Sequence, residues 1–395
     1  MNRPLQLDRT KMMLAVAVVA ALFACMFFAT PAYAKKGDKY YNGSSVIAVE
    51  NSSGQLVYKP QSSASKNRNA LAKLLNNTKT RTVVIPSGSN FTINSPIRVG
   101  SNKVIIANGA TITQTVNSKG LISNYPTKLN YKSIKNVTIV GGTWKNKKNN
   151  HAYTAFRFCH GQNINVYGVN IVCNNRCHAV EFIACKNATV NACTLRAKGK
   201  VSSSFHEDIV QIDLATPKTA PGVKKESSSK FTQGQYSSNI TVMNCNIYGS
   251  RGICVNFSKT EKKYRSVVMS DITIKDNVIE TNAAQGIALY NTGTAVVEGN
   301  TIKNTSSSSG CYSCGIHVGV QGNNSIYASS TIKIKNNTVY GGRQAIYVAS
   351  SGGKYKSVTI KNNKCYCKKG ASNAIKTTSS ASSKYYKSGN TTKAW

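Results

Sequence analysis

Acidic residues are almost missing from this chain: 13 Asp and Glu face 51 Lys and Arg across 395 residues, a formal net charge of +38. Such an imbalance excludes an acidic, polycation-binding surface and points to an anionic partner. Proline is scarce at 8, Trp occurs twice and His five times. Gly numbers 29 without a triplet period, which rules out a collagen-like chain. Hydrophobic residues still make up 41%, enough to bury a core and to exclude wholesale disorder. Beyond the N-terminus no run is apolar enough to cross a bilayer.

The N-terminal exception reads as a secretory signal over residues 1–34. Arg3, Arg9 and Lys11 precede an apolar run from Met12 to Ala29, and Ala32-Tyr33-Ala34 supplies a small-x-small cleavage site. The expected location is therefore extracellular or wall-associated, with no membrane span after cleavage. The expected partner is an acidic polysaccharide or an anionic wall polymer, not a physiological nucleic acid, and the chain is read as a monomer. Loss of Cys25 with the signal leaves eleven of the 12 cysteines, an odd number. At least one is then free or paired between molecules, while disulfides or simple packing account for the rest. Cys311-x-x-Cys314 is a weak redox or zinc motif because no second matching pair accompanies it.

A repeat dominates the remainder. A short alternating strand recurs as Asn136-Val137-Thr138-Ile139, Asn163-Ile164-Asn165-Val166, Asn187-Ala188-Thr189-Val190 and Asn239-Ile240-Thr241-Val242, continuing through Ile272, Val296, Ile332 and Val358. A second strand lies between copies, as in Ala155-Phe156-Arg157-Phe158, Ala179-Val180-Glu181-Phe182, Ile209-Val210-Gln211-Ile212 and Gly315-Ile316-His317-Val318. After each first strand comes a column of Gly142, Val169, Cys193, Cys245, Asn277, Asn300, Asn337 and Asn363. These residues are expected to provide the left-handed backbone of a corner. A third short strand follows, starting near Trp144, Ile171, Leu195, Ile247, Ile279, Ile302 and Val339. Three strands per turn without helices describe an all-β, single-stranded right-handed parallel β-helix, whose rungs bury apolar surface only by stacking.

This pattern resembles the pectate-lyase-like (pectin lyase fold) superfamily, over residues 82–378. The segment His206 to Asp213 is similar to one in uncharacterised bacterial secreted β-helix proteins. Residues 35–81 precede the coil, and Asn69 to Leu75 reads as an amphipathic helix capping the first rung. Residues 379–395, rich in Ser, Lys and Thr, are expected as a loosely held tail.

Stacking turns sequence columns into surface lines about 4.8 Å apart per step. The outward line of the second strand is Arg157, Glu181, Gln211, Cys254, Ala288, His317, Tyr347. Beside it runs Cys159, Ile183, Asp213, Asn256, Tyr290, Gly319, Ala349, and at the corner Thr154, His178, Asp208, Arg251, Gln285. The superfamily resemblance implies that this face floors a substrate groove. The chain's few acids gather there. Glu181, Asp213 and Asp208 are the candidate catalytic residues; Arg157, His178, Gln211, Arg251, Asn256, Tyr290 and His317 are the candidate substrate-binding ones. Glu181 and Asp213, with backbones about 8 Å apart, suit water attack with inversion at a sugar carbon. Lyase chemistry with Ca²⁺ between them stays open, although no spacing demands a metal and none is assigned. The competing reading makes Arg157 with Glu181, and Asp208 between His178 and Arg251, ion pairs that hold the rungs together. His317 and Tyr290 are expected at the surface. The paired-Asp and Gly-His-Gly motifs of polygalacturonase-type hydrolases are absent from the sequence. Two functions compete: a secreted glycoside hydrolase or polysaccharide lyase, and a non-catalytic, adhesin-like surface protein.

Overall fold

A computed structural model describes residues 37–147, 154–174, 178–198, 207–256, 261–320, 322 and 325–395. The expected signal segment, His151, Cys177 and His206 lie outside them.

The chain winds through three sheets in turn: sheet A of 14 strands, sheet B of 11 and sheet C of 10. One rung takes Ile134–Val140 in sheet A, Thr143–Asn146 in sheet B and Thr154–Cys159 in sheet C. The next starts at Gly161–Tyr167, paired in parallel with Ile134–Val140. Alternation makes this possible. In the central strands of sheet A every second residue is apolar and points inward, as Val137 and Ile139, Ile164 and Val166, and Ile332 and Ile334 do, all at 0% exposure. Trp144, Ile171, Leu195, Ile247 and Ile279 fill sheet B's share of the core, and Phe158 stacks on Phe182 with ring centres 5.9 Å apart.

The corner column behaves differently from the expectation. Except at Gly142, the left-handed residue is the one before it: Gly168, Ala192, Asn244, Asp276, Gly299, Asn336 and Asn362. The column side chains turn inward instead. Asn277 Nδ2 donates to Asn300 Oδ1 at 2.9 Å, Asn300 Nδ2 to Asn337 Oδ1 at 2.9 Å, and Asn337 Nδ2 to Asn363 Oδ1 at 2.9 Å. Each amide also satisfies buried backbone groups, so the ladder replaces hydrogen bonds that a corner would otherwise strand. Cys193 and Cys245 occupy the same column further up, their thiols donating to Asn191 O and Met243 O. A second ladder runs along the outside, where left-handed Asn136, Asn163, Asn187 and Asn239 each donate to the preceding Asn.

Asn337→Ala removes the acceptor of the Asn300 backbone N–H as well as that of its side chain. The expected cost is about 2–3 kcal/mol in urea denaturation. Asn390→Ala, at the half-exposed end of the ladder, should cost less than half as much.

Helix α1 (Ala64–Asn76) is longer than the sequence pattern suggested, starting where the Ser63 side chain caps Lys66 N. Its Leu71, Leu74 and Leu75 are buried over the first rung. The far end corrects the expectation of a loose tail. Tyr385–Ser388 joins sheet A beside Ser357–Lys361, and Thr391–Ala394 joins sheet B beside Lys364–Cys367. These strands are largely exposed, and their polar composition hides them from the alternation pattern.

Ten cysteines fall among the described residues; all are free thiols and all but Cys311 are buried. Packing, not bridging, accounts for them in this state.

Candidate functional site on sheet C

The register of sheet C brings the expected line together. Arg157 pairs with Glu181, Glu181 with Gln211, Gln211 with Cys254, Cys254 with Ala288, Ala288 with His317 and His317 with Tyr347. Ile183 stands beside Asp213 and Asp208 beside Arg251. The outward positions are correct, but outward is not exposed. Glu181, Asp208, Gln211, Asp213, Arg251 and Asn256 are all buried.

The cover is a segment that the sequence pattern did not reveal. After Asp213 the chain loops out over residues 214–236, carrying helix α2 (Pro221–Glu226), and returns to sheet A at Ser238–Met243. Ala215, Ala220, Val223 and Phe231 pack on Cys159, Ile183 and Ala184, a small apolar core on the outer side of the sheet. His160 is buried here and ties the cover down through Phe231 O at 2.8 Å and Gln235 Oε1 at 3.0 Å. The α2 residue Glu226 reaches Arg157 Nη1 at 3.1 Å. Leu214, Val223 and Phe231 standing in an otherwise polar stretch were the available signal.

Beneath the cover each charge has a partner. Glu181 Oε2 accepts from Arg157 Nε at 2.6 Å and from the Thr154 hydroxyl at 2.6 Å. Burial acts to raise the Glu181 carboxyl, but Arg157, His178 and that hydroxyl outweigh it and hold it below the ordinary range. Asp213 goes the opposite way, pushed well up by burial and then by the charge of Glu181. It accepts from Gln211 Nε2 at 2.5 Å. Asp208 accepts from Arg251 Nη1 at 2.8 Å, and its carbonyl lies 2.6 Å from His178 Nδ1. The sequence offered both an open catalytic groove and cross-rung ion pairs for these residues. In this conformation the pairs are present and the groove is roofed. Asn256 likewise floors no groove: it is fully buried at a left-handed corner, its N–H donating to Ile212 O at 2.7 Å.

The open part of the face lies lower, past Arg251. Arg251 Nε donates to Gln285 Oε1 at 3.0 Å, and Gln285 Nε2 donates to the Tyr290 hydroxyl at 3.0 Å. The Tyr290 ring meets His317 edge-on at 5.4 Å, and His317 stacks on Tyr347 at 5.2 Å and 19°. Neither Tyr290 nor His317 is a surface residue, because each is sandwiched by its rung neighbours, at 4% and 9% exposure. Burial, then Arg251, pushes the His317 imidazole down to about 4, leaving it neutral at physiological pH. These groups, with Cys311, Tyr312, Ser350 and Ser351, line a cleft of about 450 Å³ that contains no carboxylate. Gln285, Tyr312 and Cys311 were not among the sequence candidates for binding, since a loop supplies two of them and a corner the third. Among the described residues no cluster of three or more His, Cys, Asp or Glu could hold a metal ion, and no helix is long and apolar enough to cross a membrane.

A family model described as "Right handed beta helix region" matches residues 227–328. No curated protein matches the sequence. Among solved structures, PfbA, a surface adhesin of Streptococcus pneumoniae, aligns with a TM-score of 0.52 at 12% identity, over 82% of this chain and 87% of its own. A hyperthermoactive exopolygalacturonase from Thermotoga maritima aligns with a TM-score of 0.50 at 11% identity, over 76% of each chain. At such identities the likeness concerns the fold: a right-handed parallel β-helix of the pectin-lyase-like type.

Proposed function

We propose that this protein is exported through residues 1–34 and binds an acidic polysaccharide in the aromatic cleft of sheet C without cleaving it. One observation carries this reading. Glu181, Asp208 and Asp213 are all buried, the first two in ion pairs with Arg157 and Arg251 and the third against Gln211, whereas the accessible cleft offers rings and amides but no carboxylate. Half-buried Tyr347 and Tyr312 present rings on which a sugar can stack. The net charge of +38 concentrates polyanions at the surface. A surface adhesin and an exopolygalacturonase share the fold, so the fold does not choose between binding and cleavage.

Calorimetric titration with polygalacturonate, alginate and hyaluronan tests the proposal. Binding to at least one should weaken steeply with salt, and Tyr347→Ala should weaken it about tenfold, the usual worth of an aromatic stacking contact. Unchanged affinity in Tyr347→Ala would remove the cleft from the argument.

Cleavage has one observation in its favour. The surroundings push the two carboxyls apart, Glu181 below its ordinary range and Asp213 well above it, the direction of split that an acid and base pair requires. It needs the cover to withdraw. New reducing ends or unsaturated uronate in the same incubations would establish it.

A further inference from the structure

We propose that Cys311 and Cys314 form a thiol–disulfide exchange site on the rim of the sheet C cleft, taking a low-molecular-weight disulfide as co-substrate. The two residues bracket one turn of 3₁₀ helix, Cys311–Ser313, closed by Cys314 N–H donating to Cys311 O at 3.0 Å. Such an i to i+3 closure keeps the two Cα atoms within about 7 Å, the range that a disulfide spans. The two thiols are close enough to act on one another's titration. The Cys314 thiol donates to the Gln344 carboxamide oxygen at 3.3 Å.

The pair is asymmetric in the way that exchange requires. Cys311 lines the cleft and is half-buried, whereas Cys314 is fully buried behind it. The attacking sulfur is therefore the accessible one, and the resolving sulfur is out of reach of other molecules. Arg343, anchored on Ser309 O at 3.4 Å, adds a cation nearby. Cys314 first, and Arg343 after it, bring the Cys311 thiol down to about 6 against the opposing effect of burial. Cys193 and Cys245 are also neighbours, on successive rungs, but both are sealed in the core. No disulfide reagent can approach them in the folded chain.

The reaction runs in two displacements. The Cys311 thiolate attacks one sulfur of the disulfide R–S–S–R, forming Cys311–S–S–R and expelling R–S⁻. Cys314 then gives up its proton to the expelled thiolate and attacks the Cys311 sulfur, releasing a second R–S⁻. One external disulfide is reduced to two thiols, one of them ionised, and the Cys311–Cys314 dithiol is oxidised by the same two electrons.

The test uses the full mature chain, reduced with dithiothreitol and desalted under native conditions. It is exposed to oxidised glutathione, quenched with N-ethylmaleimide and peptide-mapped by mass spectrometry. The wild type should gain an internal Cys311–Cys314 bridge. Cys314→Ser should stop at a glutathione adduct on Cys311, formed at least ~10-fold faster than on any other described cysteine. Cys311→Ser should leave Cys314 unmodified. An unmodified Cys311 in the wild type, or a Cys311 adduct there that never resolves to the bridge, overturns the proposal. The wild-type readout stands even where a variant folds poorly.

Discussion

Arg251→Met is expected to cost about 3–5 kcal/mol of unfolding free energy, the loss typical of stripping one partner from a buried ion pair. Arg251 and Asp208 are 4% and 6% exposed at the side chain and only 2.8 Å apart. Methionine fills the space of the arginine stem but leaves a buried carboxylate with no counter-charge. Asp208 then has to ionise unpaired or take up a proton. The double variant Arg251→Met with Asp208→Leu should recover most of the loss, because an apolar pair of similar volume does not bear that desolvation cost. Urea denaturation of the two variants and the wild type measures this directly. A deficit below about 1 kcal/mol in Arg251→Met would mean that the pair behaves as a solvated one. The same substitution tests how the face is linked. Arg251 holds Gln285, and Gln285 holds the Tyr290 hydroxyl. The double variant, folded but without this link, should bind polysaccharide more weakly than the wild type although Arg251 itself does not line the cleft.

The coil was legible because its rule is local and periodic. Inward residues at every second position, with Asn opening several of the strands, are visible in Asn136-Val137-Thr138-Ile139 and its copies, and they placed Arg157, Glu181 and Gln211 in one line before any coordinates. The corner was read one residue late because two polar residues adjoin there. In Asn336-Asn337 the first takes the left-handed backbone and the second the inward ladder, and composition cannot order them. What escaped was everything non-periodic. The 214–236 cover folds back on the sheet through Val223 and Phe231, contacts that no repeat announces. With the cover unknown, alternation together with the family resemblance cast Glu181 and Asp213 as groove residues. His317 was misplaced for a related reason: its position is outward, but Tyr290 and Tyr347 enclose it from the adjoining rungs.

Glu181→Gln and Asp213→Asn should move stability in opposite directions at neutral pH, and that divergence separates a structural pair from a catalytic one. Glu181 has a folded pKa below its ordinary value. Its contribution is complete above the ordinary carboxylate range and fades as pH falls through the folded value. Glu181→Gln should therefore cost about 3 kcal/mol near pH 7, with a deficit that shrinks on acidification. Asp213 has a folded pKa raised well above 3.8. Its contribution is complete below that value and is lost as pH rises through the folded one. Asp213→Asn supplies a permanently neutral side chain, so it should be neutral or stabilising near pH 7, gaining on the wild type as pH rises. Denaturation between pH 4 and 8 follows both trends. A catalytic pair adds a different signature, because acid and base must each exchange a proton with the substrate. Both substitutions would then abolish product formation, whichever way stability moved. If product forms in the wild type and vanishes in Asp213→Asn while that variant is no less stable, the buried acids serve chemistry and the cover must open. If stability diverges as expected and no variant, nor the wild type, yields product, the acids hold the rungs and the cleft beside them does the binding.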